Sequence, residues 1–338
     1  MNSRIKIFVF LLCLLCFQTA RADWVRQNSK TFAWFRDVFF LKDGQTGWIG
    51  GGDGTFLKTV DGGKTWKNVN KFTADTIVQI IFSDENIGIL LMERSIYSRG
   101  QKGSSYILKT LDGGENWKPM EFPESRQRIT KLLFNEKGAG MAFGESGLFY
   151  RLREDGREWV KIPAAIHYLM LDGAFTGETG GAIVGGGGTI LFTEDGGFTW
   201  DKASIFGDST SKLNSVFFID EKVGWAVGND GKILHTSGGG KLWRAQNSGT
   251  TNNLNDVCFL DANNGWVVGD DGTIMRTRNG GSSWYPVNTG AARHRLEKVV
   301  FVGKTGWAVG FGGTILQYDE NSKNETPSLK PTLQKRNG

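Results

Sequence analysis

Three kinds of side chain in this 338-residue chain could do chemistry. Asp61, Asp112 and Asp195 recur in one setting, Thr-x-Asp-x-Gly-x-x-Trp, at Thr59–Trp66, Thr110–Trp117 and Thr193–Trp200. Carboxylates paired across a cavity are the machinery of glycoside hydrolysis. His167, His235 and His294 offer metal ligation or proton transfer, and Cys258 offers a nucleophile. The third set is cationic: Arg36, Arg126, Arg128, Lys212, Arg293 and Arg295 suit the binding of acidic groups.

Spacing weakens the catalytic readings. Each Asp of the first set lies beside turn glycines and before a Trp. An Asp or Asn there bonds the turn's own amides, Gly permits positive φ, and Trp packs into a seam. Altered copies keep the shape without the acid: Gly238 replaces it in Thr236–Trp243 and Asn279 in Thr277–Trp284, and a looser version surrounds Asp155–Trp159. This is the Asp-box, or bacterial neuraminidase repeat. Its members Asp61, Trp66, Asp112, Trp117, Asp195, Trp200, Trp243 and Trp284 are read as structural. The histidines show no metal-ligand spacing. Cys258, in Asn255-Asp256-Val257-Cys258-Phe259, reads as a small buried hydrophobe. A sialidase needs an arginine cluster, a tyrosine nucleophile with an acid partner, and a Phe/Tyr-Arg-Ile-Pro segment; Phe149-Tyr150-Arg151-Leu152 is a poor echo. Gly185–Gly188 aligns with Asn229-Asp230-Gly231 and is hairpin geometry, not a phosphate loop. No catalytic, cofactor or metal site is expected. Carboxylates from different repeats could still meet on an axis, so a glycan-binding or glycoside-hydrolysing propeller stands as the alternative.

The elements that must position these residues repeat. Gly224–Trp243, GWAVGNDGKILHTSGGGKLW, returns as GWVVGDDGTIMRTRNGGSSW at Gly265–Trp284 and as GWAVGFGGTIL from Gly306. Seven starts occur, at Gly47, Gly88, Gly140, Gly181, Gly224, Gly265 and Gly306, with steps of 41, 52, 41, 43, 41 and 41 residues. A β-branched or aromatic run precedes each start and another follows it. Four short strands per ~40 residues is the β-propeller blade. A blade has two apolar faces that only neighbouring blades can cover. Seven starts meet six closing tryptophans, and the seventh, Trp24, lies 42 residues before Trp66. The reading is an all-β, seven-bladed propeller of four-stranded blades over residues 23–318, with the N-terminal strand closing the ring. An open solenoid is the alternative, but it needs polar terminal caps.

Residues 1–22 read as a signal peptide: basic Arg4 and Lys6, apolar Ile5–Phe17, and Ala20-Arg21-Ala22 before cleavage. An uncleaved anchor is the alternative, and the 13-residue run Ile5–Phe17 falls short of the ~20 that span a bilayer. Leu12 and Leu15 precede Cys13 and Cys16 where a lipobox needs a small residue. Without Arg4, Lys6 and Arg21 the net charge drops from +5 to +2, which removes any argument for nucleic acid. Cys258 is then the one cysteine left, so no intrachain disulfide forms. The 48 glycines and 12 tryptophans agree with turn-rich β structure. Residues 319–338 are polar and aperiodic and read as a disordered tail.

Leu254–Phe259, Gly265–Gly269, Gly272–Thr277 and Gly280–Trp284 carry the pattern Leu-Asn-Asp-Val-x-Phe, Gly-Trp-x-Val-Gly, Gly-x-Ile-x-x-Thr, Gly-Gly-x-x-Trp. Trp24–Tyr318 thereby resembles the photosystem II stability/assembly factor family. The resemblance implies a non-catalytic propeller, exported to the periplasm or lumen, that binds membrane-protein assembly intermediates. The implied partner is a membrane or envelope protein complex, with peripheral association, a monomeric state and no nucleic acid. Nothing in the residues identifies a photosynthetic source.

In a four-stranded blade, the loops before strand one and between strands two and three share a face. That face should carry Arg36, Arg126, Arg128, His167, Lys212, Arg293, His294 and Arg295, converging on one mouth of the channel. Asp53, Glu145, Asp230, Asp270 and Asp271 fall on the same face, so a mixed solvated surface is the competing reading. The 52-residue step places an insertion at Met92–Ser105, bringing Arg94, Tyr97, Arg99 and Lys102 to that face. A long loop on a rigid scaffold often carries function.

Overall fold

The computed structural model describes residues 24–95, 103–153, 155–163, 166–207, 210–289 and 293–319. They form seven sheets around an axis, antiparallel but for one strand pair. The inner strands of blades 1 to 7 are Phe35–Phe40, Thr76–Phe82, Ile129–Phe134, Met170–Thr176, Leu213–Phe218, Leu254–Phe259 and Leu296–Val302. Neighbouring inner strands touch in order, and the seventh touches the first. The expected seven-bladed propeller is observed.

Closure follows the count of tryptophans. Trp24–Gln27 is the outer strand of blade 7 and pairs antiparallel with Thr314–Asp319, Trp24 opposite Tyr318 and Gln27 opposite Ile315. Trp24 is buried in the seam between blades 6 and 7, against Trp266, Val268 and Ile274. A two-ended array would leave two blade faces wet; the strand brings both chain ends into one sheet.

Each of the seven seams has its own apolar cluster. Four are aromatic sandwiches. The Trp of a Gly-Trp start lies flat on a Phe from the next blade: Trp48 on Phe82, Trp225 on Phe259, Trp266 on Phe301 and Trp307 on Phe40, at centroid distances of 3.7, 3.5, 4.3 and 3.6 Å. The Asp-box Trp meets the same Phe by its edge, as Trp66 meets Phe40 and Trp284 meets Phe259. The indole N–H groups of Trp48, Trp225 and Trp307 donate to Gly113, Gly280 and Gly62, carbonyls in the Asp-box turn of the following blade. Trp266 faces blade 7, whose outer strand comes from the N-terminus without such a turn. Its buried N–H accordingly finds no partner among the described residues.

The Asp-box carboxylates are turn braces. Asp61 accepts the Thr59 hydroxyl, the Thr65 amide and the Thr65 hydroxyl at 2.7, 2.9 and 2.6 Å. The Thr65 hydroxyl, then its amide, hold the Asp61 carboxyl down at about 2. The Asn116 amide and side chain do the same for Asp112, also about 2. An acid held that low keeps its charge near neutrality and is a poor proton donor. Gly238 removes this brace from blade 5, where Trp243 instead donates to Gly240 at 2.7 Å.

Three expectations need correction. Blade 5 has five strands, because Ser204–Phe206 pairs in parallel with its outer strand Leu242–Gln246. Trp117 is half-buried, unlike the other closing tryptophans, which are buried. The insertion is shorter than Met92–Ser105, since Gly88–Glu93 and Ser105–Thr110 are paired strands and only 94–104 lie between them.

Two stability measurements check this packing. Deleting Trp24–Lys30 uncovers the blade 6 face and the edge of Thr314–Asp319, so thermal melting should show a drop well beyond 10 °C, several kcal/mol at ~2–4 °C each. Trp243→Ala should cost roughly 3–5 kcal/mol in urea unfolding, and Trp117→Ala clearly less.

Candidate functional site

The site is built by a defect shared by all seven inner strands. Each carries one register shift at its start, for example between Phe35 and Asp37 or between Leu254 and Asp256. A β-bulge adds one unpaired residue and re-aims its neighbours. Here two successive residues per blade line the channel, such as Arg36 and Asp37, Asn255 and Asp256, or Glu297 and Lys298.

On the upper face, where the loops into the inner strands lie, the channel opens as a cup of about 240 Å³. Four of the expected cations line it: Arg36, Arg128, Lys212 and Arg295. Three of them are held by acids. Arg128 bonds Glu145 at 2.6 Å and Glu93 at 3.2 Å, and Arg295 bonds Glu297 at 2.6 Å and lies 3.6 Å from Asp270. Arg36 lies 3.9 Å from Glu297 and covers the Trp34 ring at 4.8 Å, while the Trp34 indole N–H donates to Glu297 at 2.8 Å. The mouth is therefore mixed in charge, with its guanidinium groups fixed in place.

The floor is a ring made by one equivalent residue from each blade: Asp37, Gln79, Lys131, Asp172, Ser215, Asp256 and Lys298. Four of these accept a backbone N–H from the next blade. Asp37 takes Ile80, Gln79 takes Leu132, Asp172 takes Val216 and Asp256 takes Val299, at 2.7 to 3.1 Å. Lys131 pairs with Asp172 at 2.7 Å and Lys298 with Asp256 at 3.0 Å, and Ser215 donates to Asp256 at 2.6 Å. Lys131, Asp172, Ser215 and Lys298 also line an apolar-walled cavity on the lower side, with Phe39, Phe217 and Val300. The ring thus divides the channel into two cups.

Of the three ring acids, Asp37 has no lysine bonded to it; the two lysines go to Asp172 and Asp256. Burial lifts its carboxyl from 3.8 to about 6, against the pull of Lys298 and Lys131 and with the help of Asp256. Burial works the same way on Asp172, but Lys131 and Lys298 outweigh it and hold that carboxyl low.

The remaining expected residues do not join the mouth. Arg126, His167, Arg293 and His294 are exposed outside the cup lining. Arg94 lies over the Tyr106 ring at 4.1 Å and borders a side groove with Asp75, Pro119, Met120 and Phe122. Tyr97, Arg99 and Lys102 lie outside the described residues. Tyr150 of the sialidase echo is buried in the seam between blades 2 and 3, and Arg151 stacks on Phe198 at 3.1 Å. Cys258 is buried, and burial followed by Asp256 pushes its thiol up to about 12, far from a reactive thiolate. Burial lowers the His235 imidazole, which packs on Trp225. Sequence reasoning missed the floor ring, although one polar residue does recur at the same place in every inner run. It also missed the aromatic residues Phe32, Trp34 and Phe311 on the upper face.

A ring closed by its own N-terminal strand, braced by Asp-box turns and presenting a fixed charged cup, defines the class of seven-bladed Asp-box propellers. The chain belongs to the family described as photosynthesis system II assembly factor YCF48, whose model matches residues 152–247 and 241–333. The photosystem II assembly protein Ycf48 of Synechococcus sp. (strain JA-3-3Ab) is 26% identical over 170 residues, covering 49% of this chain and 48% of that protein. The photosystem II assembly lipoprotein Ycf48 of Trichormus variabilis is 23% identical over 307 residues, covering 65% and 90%. The chain spans about half the length of several of these curated relatives. Among solved structures, YCF48 bound to D1 peptide and YCF48 from Cyanidioschyzon merolae each match with a TM-score of 0.71, at 20% and 18% identity. Both matches cover 89% of this chain and 96% and 100% of those chains. Among the described residues no helix is long and apolar enough to cross a membrane.

The floor ring carries a pH signature. Asp37 has a folded value above its ordinary one, so the folded state binds more protons between pH 3.8 and about 6. Its stabilising contribution is complete below pH 3.8 and lost as pH rises through about 6. The loss amounts to roughly 3 kcal/mol. Urea unfolding of Asp37→Asn should gain stability relative to the parent at pH 7.5 and show no such gain at pH 4.

Proposed function

We propose that this chain is an exported, non-catalytic scaffold that holds segments of a membrane or envelope protein complex during assembly. The proposed extent is a signal peptide over residues 1–22, a propeller over 23–318 and a tail over 319–338. Binding is placed on the upper face, with acidic groups of the partner exchanging into the ion pairs of Arg36, Arg128 and Arg295 and meeting Lys212. The observation that carries this reading is the cup itself. Guanidinium groups pre-positioned by carboxylates lose little freedom when a second carboxylate arrives, so the entropic cost of recognition is small. Membership of a family of assembly factors supports it, as does a similarly folded YCF48 solved with D1 peptide bound. Arg126, His167, Arg293 and His294 form the outer part of the proposed surface, and the insertion residues Arg94, Tyr97, Arg99 and Lys102 are proposed as further partner contacts.

The glycan-binding alternative has less behind it, since the Asp-box acids are committed to their turns and Tyr150 to a seam. Crosslinking pull-down from the source cell separates the two. The parent chain should capture a membrane protein, and Lys212→Gln/Arg295→Gln should capture at least about tenfold less with an unchanged melt, two charge-assisted contacts being lost. Equal capture by the variant, or release of a chromogenic sugar by the parent, would count against the proposal.

A further inference from the structure

The upper face has a second feature, at the corner where blade 7 meets blade 1. The loop joining the closing strand to blade 1 reads Asn28-Ser29-Lys30-Thr31-Phe32-Ala33-Trp34, and the loop joining blades 5 and 6 reads Asn247-Ser248-Gly249-Thr250-Thr251-Asn252-Asn253. The two share one scaffold. Ser29 donates to the Thr31 carbonyl and Ser248 to the Thr250 carbonyl, each at 3.1 Å; the Thr31 and Thr250 hydroxyls each accept the amide two residues on. Ser29 also donates to Gly313 at 2.7 Å, and the Gly313 amide donates to Ala33. The backbone is therefore tied, and the tips differ: Phe32 stands for Thr251, Trp34 for Asn253 and Lys30 for Gly249. The adjoining turn repeats the contrast, with Phe311 where blades 5 and 6 have Asn229 and Asp270.

The fold does not require these aromatic side chains, because the sister loop does without them, and they are not buried. Phe32 is 92% exposed, Phe311 48% and Trp34 39%. Trp34 meets Phe311 edge-on at 5.9 Å, so the rings form one cluster. Beside it lies a cleft lined by Arg26, Asn28, Lys30 and Phe32, without an acidic residue in its described lining. Neither Arg26 nor Lys30 has an ion-pair partner among the described residues, unlike the arginines of the cup. The phenyl ring of Phe32 stands at the rim of this cleft, almost wholly in solvent. A projecting apolar ring, an indole with its N–H turned inward, and unpaired cations at the same level make up an interfacial anchor. A protein partner would be expected to meet such rings with a pocket and to pair the cations; anionic lipid accepts both without one.

We propose that this corner docks on an anionic lipid surface, with Phe32, Trp34 and Phe311 entering the headgroup region and Arg26 and Lys30 meeting phosphates. Because the corner shares its face with the cup, docking would hold the mouth towards the bilayer. The inference does not rest on the protein-binding reading, and its test contains no protein partner. The full chain is mixed with phosphatidylglycerol-containing vesicles or with pure phosphatidylcholine vesicles. Phe32→Thr/Trp34→Asn, which restores the sister loop's residues, is compared at equal melting temperature. Co-sedimentation should favour the anionic vesicles, fall with added salt, and weaken about ten- to hundredfold in the double variant. Lys30→Gln should weaken it about fivefold. Hydrogen exchange on the vesicles should slow at residues 28–34 and stay unchanged at the Asp-box turn 59–66, which locates the contact apart from residues 1–23. Absence of lipid binding by the parent chain, equal binding by the double variant, or protection elsewhere overturns the proposal. So does a double variant that loses a protein partner while the parent chain ignores lipid, which would assign the corner to protein.

Discussion

A blade cannot exist alone. Each of the seven sheets has two apolar faces, and only a neighbour on either side removes both from water. The whole structure depends on blade 7, whose two seams must be closed by distant parts of the chain. There Trp24 packs against Trp266 and Tyr318 in a sheet that joins the start of the described chain to its end. The seam between blades 7 and 1 likewise joins distant residues, with Trp307 on Phe40, and the other five are closed by residues about one repeat apart. The unpartnered indole N–H of Trp266 is the local cost of borrowing an outer strand that brings no Asp-box turn.

The same geometry divides the chemistry between levels. Side chains in the seams are apolar, with stacked aromatic pairs in four of them, while those of the floor ring at the axis are polar and paired. At the axis each carboxylate or amide of the floor ring takes an amide from the next blade, so the ring fastens blades where packing cannot. Asp37, without a lysine of its own, is the place where burial outweighs pairing. Above this floor, Glu93, Glu145, Asp270 and Glu297 hold the arginines. Such a surface is selective through geometry more than net charge.

Much of the architecture was legible because a propeller is one pattern written seven times. The Gly-Trp starts, the steps near 41 residues and the displaced Trp24 led to the ring and its closure. The Asp-box acids could be set aside because Gly238 and Asn279 occupy the same place without loss of the turn. The site was only partly legible. Arg36, Arg128, Lys212 and Arg295 were placed on the correct face, but the acids they bind could not be matched to them from spacing. Arg94 was expected at the mouth and lies in a side groove beside Tyr106, since the two strands it joins continue in register past Met92. The parallel strand Ser204–Phe206 had no counterpart in the repeat and no turn signal to announce it.

By itself the sequence determined the local terms: strand period, turn glycines, Asp-box braces and the number of blades, because each depends on residues within one 40-residue unit. Tertiary structure decided what depends on register and convergence. The bulge at each inner strand turned Asp37, Lys131, Asp172, Asp256 and Lys298 onto the axis, which strict alternation does not anticipate. It also decided which aromatic residues became core and which stayed out. Trp225 and Trp34 are the same residue type, yet one is covered by the next blade and the other stands at the rim of the channel mouth, where its neighbours cover it only in part.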